Sequence, residues 1–169
     1  MCGIVGYIGD KDCFPILIKG LQRLEYRGYD SAGVAVFDGK DAIQVRKKKG
    51  KVEDLLAFVG DDLPTGSMGI GHTRWATHGP PNDVNAHPHT ARFGRLAMIH
   101  NGIIENYESL RASLEANGHA FVSDTDTEVL IHLIDEVQNR TNTSIADAVQ
   151  MALKEVEGAY AIAIIDANE

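Results

Sequence analysis

The apolar run Ala159–Ile165 (AYAIAII) sets the tightest limit on how this chain folds. It is far shorter than the roughly 20 residues a membrane helix needs. It has no polar face, so it reads as a central strand that needs neighbours. Residues 2–8 (CGIVGYI) read as a buried strand interrupted by glycine. Gly33–Phe37 and Ala42–Arg46 read as a strand pair around the turn signal Asp38-Gly39. Met68–Gly71 and Leu96–Ile99 are two further strands.

Helical periodicity fills the spaces between. In residues 12–25, Phe14, Leu17, Ile18, Leu21 and Leu24 share one face. Asp12 is the expected cap, and Pro15 is tolerated in the first turn. Lys51–Val59 is a short helix. The second half carries three more, over 106–117, from Thr125, and through Ile145–Ala152. The second opens on Thr125-Asp126-Thr127-Glu128, a capping-box pattern. Early hairpins followed by helices predict mixed sheet layers covered by helices. The length of 169 residues suits a single domain without an internal repeat.

A net charge of −8 argues against a nucleic-acid partner. The basic stretch Arg46–Lys49, with Lys51, is expected to be a solvated strand edge. No run is long enough to cross a membrane, so no membrane partner is expected. Two cysteines without a secretory pattern imply reduced thiols and a cytoplasmic location.

Residues 73–92 read as one long polar loop, and loops of that length are usually functional or disordered. Arg74, Trp75, Thr77, His78, His87 and His89 are not linker residues. His87-Pro88-His89 has metal-ligand spacing, with His72, His78 and His100 nearby. No carboxylate or cysteine pair accompanies them and Pro88 interrupts a regular strand, so no metal and no cofactor is expected. Gly69-Ile70-Gly71 lacks the third glycine and the helix of a dinucleotide fingerprint.

Cys2 follows Met1 directly. Removal of Met1 would leave a thiol and a free α-amine on one residue. The amine's ordinary pKa, about 7.7–8.0, suits a general base. Nucleophile and base would then be one residue. Position alone also fits a small residue opening a buried strand. His100-Asn101-Gly102 reads either as a turn or as an oxyanion hole made by an amide and a neighbouring N–H. Asp126 reads as a helix-dipole charge or as an ammonium ligand. Arg74 reads as a surface ion-pair partner or as a carboxylate fork.

Taken together these stretches resemble the class II glutamine amidotransferases. The match rests on Cys2–Gly6 (CGIVG), Leu24–Gly33 (LEYRGYDSAG), His72–Gly79 (HTRWATHG), Asn85–His89 (NAHPH), His100–Asn106 (HNGIIEN) and Thr125–Glu128 (TDTE). The second and third favour the glucosamine-6-phosphate synthase branch. The resemblance implies an α+β fold, the four-layer αββα sandwich of N-terminal nucleophile hydrolases, here lacking its last strands. Residues 1–169 would be one glutaminase domain, C-terminally truncated and without the sugar-isomerase domains. It implies hydrolysis of L-glutamine to glutamate and ammonia through a glutamyl thioester on Cys2, with Met1 removed. In the full-length enzyme, a homo-oligomer, the ammonia would serve glucosamine-6-phosphate synthesis from fructose-6-phosphate. Catalytic roles fall to Cys2, Asn101 and Gly102. Arg74 would hold the α-carboxylate, with Thr77 and His78 nearby, and Asp126 the α-ammonium. His87 matches a position near the glutamine, and Arg27 and Gly28 one near the nucleophile. Trp75 lies on the closing loop, and Cys13 is a packing residue. Two rival readings are a non-catalytic glutamine-binding module and a metal-dependent hydrolase built on His87 and His89.

Overall fold

The computed structural model describes residues 1–40 and 42–169. Strand β1 (Gly3–Ile8) leads into helix α1 (Cys13–Leu24), a 3-10 turn at Glu25–Arg27, and strands β2 (Ser31–Phe37) and β3 (Gln44–Lys49). Helix α2 (Val52–Val59) and strand β4 (Met68–Arg74) follow. After a long connection come β5 (His89–Ala91), β6 (Leu96–Ile104), α3 (Tyr107–Ala116), α4 (Asp126–Thr141), α5 (Ile145–Ala152) and β7 (Gly158–Asp166). No helix among the described residues is long and apolar enough to cross a membrane.

Among the described residues the strands form two antiparallel sheets, ordered β1-β4-β2-β3 and β5-β6-β7. Alternate residues of a strand face opposite sides, and three apolar clusters sort themselves by that parity. Ala32, Val34 and Val36 of β2 pack with Leu17, Leu21, Leu55 and Val59 of α1 and α2. Leu96 and Met98 of β6 pack with α4 through Leu130, Ile131 and Ile134. Ala35, Phe37, Ile70, Ala97, Ile99 and Ile165 close the gap between the sheets. The order is helices, sheet, sheet, helices, which is the expected αββα layering.

Several local expectations are corrected. The polar loop starts after Arg74, because β4 continues through Thr73 and Arg74, and β5 forms inside its far end. Asn101-Gly102 is no turn: β6 runs on to Ile104, pairing Asn101 with Ala161 and Gly102 with Tyr160. The run Ala159–Ile165 lies in β7, which is an edge of its sheet among the described residues, with β6 at the centre. Asp12 makes no cap bond to its helix, because its carboxylate accepts the Gly66 N–H at 3.2 Å. The capping box is half formed. Thr125 accepts the Glu128 N–H, while the Glu128 carboxylate accepts the N–H groups of Val122 and Ser123.

The basic stretch lies on edge strand β3, as expected, but it is not simply solvated. Lys47 Nζ donates to the carbonyls of Val84 and Ala86 at 3.0 and 2.8 Å. Lys48 pairs with Asp83 at 2.8 Å. Burial drops the Lys47 ammonium to about 8, with Glu128 and Asp83 working against that fall. The edge therefore clamps residues 83–86 and steers the chain back towards the gap between the sheets. There Gly33 faces the His87 carbonyl so closely that a Cβ would lie 2.0 Å from that oxygen. A side chain at 33 would block this passage.

Candidate active site

The parity that fills the gap between the sheets also places polar residues at one end of it. On β4 the face carrying Ile70 continues with His72 and Arg74. On β6 the face carrying Ala97 and Ile99 continues with Asn101. On β1, Ile4 packs on the same cluster and lies across from His72 in the register, so Cys2 emerges beside Arg74. A cleft of about 730 Å³ opens there, within the usual size of small-molecule sites. Cys2, Arg27, Arg74, Trp75, Thr77, His78, His87, Asn101, Gly102 and Asp126 all line it. Gly28 does not line the cleft but packs behind Trp75. With φ at +98°, a Cβ at Gly28 would sit 2.7 Å from the Trp75 ring.

Cys2 Sγ accepts the Trp75 N–H at 3.0 Å and lies 3.5 Å from the Trp75 carbonyl. Asn101 Nδ2 donates to the Cys2 carbonyl at 3.2 Å. A side-chain amide and the Cys2 thiol thus share one corner. The Met1 ammonium donates to the Arg27 carbonyl at 2.7 Å, so here the α-amine belongs to Met1. Cys13 contrasts with Cys2. It opens α1 and is fully buried, and burial together with Asp12 raises its thiol to about 11.

Arg74 and Asp126 are both buried, with opposite charges in one cleft. Arg74 Nη2 donates to the carbonyls of His78 and Gly79, holding the loop that follows β4. Its Nη1 has no hydrogen-bond partner among the described residues and stands 3.9 Å from Asp30 Oδ1. Burial works against the Arg74 charge, and Asp30 and Asp126 offset it. Asp126 opens α4, where the helix dipole favours a carboxylate. One oxygen accepts the Ile104 N–H at 2.9 Å, and the other lies 3.8 Å from His78 Nδ1.

Behind these groups sits a patch of four buried histidines. His72 Nε2 meets Asn101 Oδ1 at 2.7 Å. His87 Nε2 and His100 Nδ1 share the Thr127 hydroxyl at 2.7 and 2.9 Å, and His89 Nε2 meets Thr125 Oγ1 at 3.0 Å. Burial lowers the pKa of all four, that of His72 to about 4. They are therefore neutral at pH 7. Among the described residues no group of three or more His, Cys, Asp or Glu is set to hold a metal ion. His87 and His89 face different threonines, and their rings stand edge to face at 4.8 Å.

The family described as a glutamine amidotransferase domain matches residues 72–169. The chain belongs to that family. It is 58% identical over 166 residues to the glutamine–fructose-6-phosphate aminotransferase (isomerizing) of Bacteroides thetaiotaomicron, covering 98% of this chain and 27% of that protein. The Thermus thermophilus protein of the same name is 54% identical over 164 residues, 97% of this chain and 26% of its own length. The chain thus spans about a quarter of these relatives. Among solved structures, the glutamine phosphoribosylpyrophosphate amidotransferase of B. subtilis superposes with a TM-score of 0.84. The two are 29% identical, over 99% of this chain and 35% of that one. The α+β fold is that of the N-terminal nucleophile glutamine amidotransferases.

The cleft of this amidotransferase domain also includes residues that its sequence did not single out for it. His72, His100 and Thr127 line it. Asp30 secures the turn after β4: its N–H donates to the Arg74 carbonyl at 2.7 Å and its carboxylate accepts the Ala76 N–H. Strand parity could have found His72, since it stands two residues before Arg74. Nothing local points to Thr127, whose place in the patch depends on His100 and His87, 27 and 40 residues away in sequence.

Proposed function

We propose that this domain hydrolyses L-glutamine to glutamate and ammonia through a thioester on Cys2, once Met1 has been removed. One observation carries the reading most strongly: Cys2 Sγ, the Asn101 amide and the buried Arg74–Asp126 pair all meet in one cleft. The pair suits a zwitterion, with Asp126 on the α-ammonium and Nη1 of Arg74 on the α-carboxylate. Thr77, His78 and His87 surround that end. The Cys2 amine takes the thiol proton, and sulfur attacks the side-chain carboxamide carbon. The oxyanion that forms is held by the Asn101 amide and the Gly102 N–H. Its collapse breaks the C–N bond, the amine returns the proton, and ammonia leaves. Water then adds to the thioester, releasing glutamate and the thiol. Trp75 and its loop, with Arg27 and Gly28 behind, exclude bulk water.

With Met1 present, the amine is held at the Arg27 carbonyl and belongs to the wrong residue. That form is a precursor that binds glutamine without turnover. In a longer cytoplasmic homo-oligomer, a sugar-isomerase half would use the ammonia to make glucosamine-6-phosphate from fructose-6-phosphate; the names of the relatives support only the amination and isomerisation of fructose-6-phosphate in that reading. Residues 1–169 would then be the glutaminase part of that protein.

The test is a glutamine-shaped electrophile, such as a diazoketone, applied to folded protein with and without Met1. The processed form should be labelled at Cys2 and release ammonia from glutamine. The Met1 form should do neither. Labelling confined to Cys13 in the processed form, or turnover with Met1 intact, would sink the proposal.

A further inference from the structure

We infer that His72 is a positioning residue: its Nε2–H fixes which end of the Asn101 amide faces the reacting carbon. The inference rests on the glutaminase reading for its kinetic consequence, but not for its geometry.

His72 and Asn101 belong to different sheets, β4 and β6, and meet across the gap at 2.7 Å. Asn101 has two chemically opposite ends. One meets His72 Nε2, and the other meets the Cys2 carbonyl at 3.2 Å. A carbonyl accepts only, so the end facing it must be the NH₂ group. The oxygen end is left for His72, which must then donate from Nε2. A neutral imidazole carries one N–H, so Nδ1 of His72 is bare.

The environment of the ring agrees. His72 is 1% exposed, and its Nδ1 has no hydrogen-bond partner among the described residues. A bare buried acceptor is tolerated better than a buried N–H without an acceptor. The opposite tautomer would strand an N–H at Nδ1 and leave Nε2 as an acceptor. Asn101 would flip to satisfy it and set its oxygen against the Cys2 carbonyl, acceptor facing acceptor. The site would then present an oxygen where the oxyanion needs a donor. Two penalties in that arrangement against one in the observed arrangement decide the tautomer.

The ring itself also packs against a second imidazole, tilted by 36°. The His87 ring lies 4.5 Å from that of His72. His87 in turn is tied to Thr127 on α4 at 2.7 Å. The order of the support is therefore α4, His87, His72, Asn101, and it ends at the developing charge.

The experiment uses Met1-free protein with ¹⁵N-labelled histidine. Long-range ¹H–¹⁵N spectra should show His72 protonated at Nε2, and an Nδ1–H ring would overturn the inference without any activity being measured. His72→Leu should lower kcat for glutamine hydrolysis about 10–100-fold, below the loss on removing the oxyanion donor itself, with KM changed little. His72→Gln, which keeps an amide N–H for Asn101, should recover most of the rate. In an Asn101→Ala background, His72→Leu should cost nothing further, because its target is gone. An additive loss, or a folded His72→Leu protein at full rate, would overturn it. Should the processed wild-type protein release no ammonia at all, the glutaminase reading fails first and takes the kinetic consequence with it. The tautomer would still be tested by the spectrum.

Discussion

The two ends of the gap between the sheets are made by the same strands in the same register, yet they do opposite things. At one end Ala35, Phe37, Ile70, Ala97, Ile99 and Ile165 meet with no polar atom among their side chains. At the other, two to four residues further along β4 and β6, stand His72, Arg74 and Asn101. The apolar end holds the sheets together by excluding water. The polar end must satisfy every buried donor and acceptor and still leave some free. It does not fully succeed: His72 Nδ1, Arg74 Nη1, His87 Nδ1 and His100 Nε2 are buried without hydrogen-bond partners among the described residues. Unpartnered polar atoms of this kind cost stability, and they gather where a ligand or a reaction would use them.

The sharpest way to break this contrast is to mutate one end and read the property of the other. Cys2→Ala should abolish ammonia release from glutamine, a loss of about 10³-fold or more, with the melting temperature unchanged within a degree or two. Ile99→Ala removes a fully buried side chain from the apolar end. It should cost about 2–5 kcal/mol in denaturant unfolding, while Cys2 still reacts with a glutamine-shaped electrophile in whatever fraction is folded. A stability loss from Cys2→Ala as large as that from Ile99→Ala would erase the distinction. A milder effect is expected from Asp126→Asn. The amide keeps the shape but loses the charge for an ammonium, so KM for glutamine should rise about 10–100-fold, consistent with roughly 1.5–3 kcal/mol for a charged hydrogen bond. An unchanged KM would remove Asp126 from the ammonium site.

The apolar end was readable because periodicity reports it. Strands 2–8, 33–37 and 68–71 were visible in residue order, as were the stripes of α1, α4 and α5 that cover the outer faces of the sheets. The polar end was readable for another reason: the stretches around Cys2, Arg74, Asn101 and Asp126 match a family. What stayed hidden is what depends on contacts outside the local pattern, most of them distant in sequence. Of the two readings of His100-Asn101-Gly102, the turn rested on the local preference of Asn-Gly. Pairing with Ala161 and Tyr160 on β7 holds it extended instead. Glu128 looked like a partner for Thr125, but the N–H groups of Val122 and Ser123 reach its carboxylate first. Lys47 looked solvated because its neighbours are lysines. Its two carbonyl partners lie 37 and 39 residues away. For Asn101-Gly102 and Lys47 a partner distant in sequence overrides the local preference; for Glu128 the rival donors stand only six and five residues before it.

The smallest effect separates the ends by pH. His72 is neutral in the fold because burial lowers its pKa from 6.5 to about 4, opposed by the bond to Asn101 and by the His100 backbone and helped by the charges of His100 and Arg74. Once unfolded, it binds a proton near pH 6.5. The unfolded chain therefore holds more protons between those two values, and stability rises with pH across that window. The contribution is complete above pH 6.5 and is lost as pH falls towards 4. Between pH 7 and 5.5 His72 alone should account for on the order of 1 kcal/mol. His87, His89 and His100 are shifted the same way and add to the slope. The apolar end holds no titratable group, so this loss belongs to the polar end. His72→Gln should flatten the fall in melting temperature over this range by one histidine's share. A melting temperature that rose on acidification, or a slope indifferent to His72→Gln, would show that the buried histidines do not carry it.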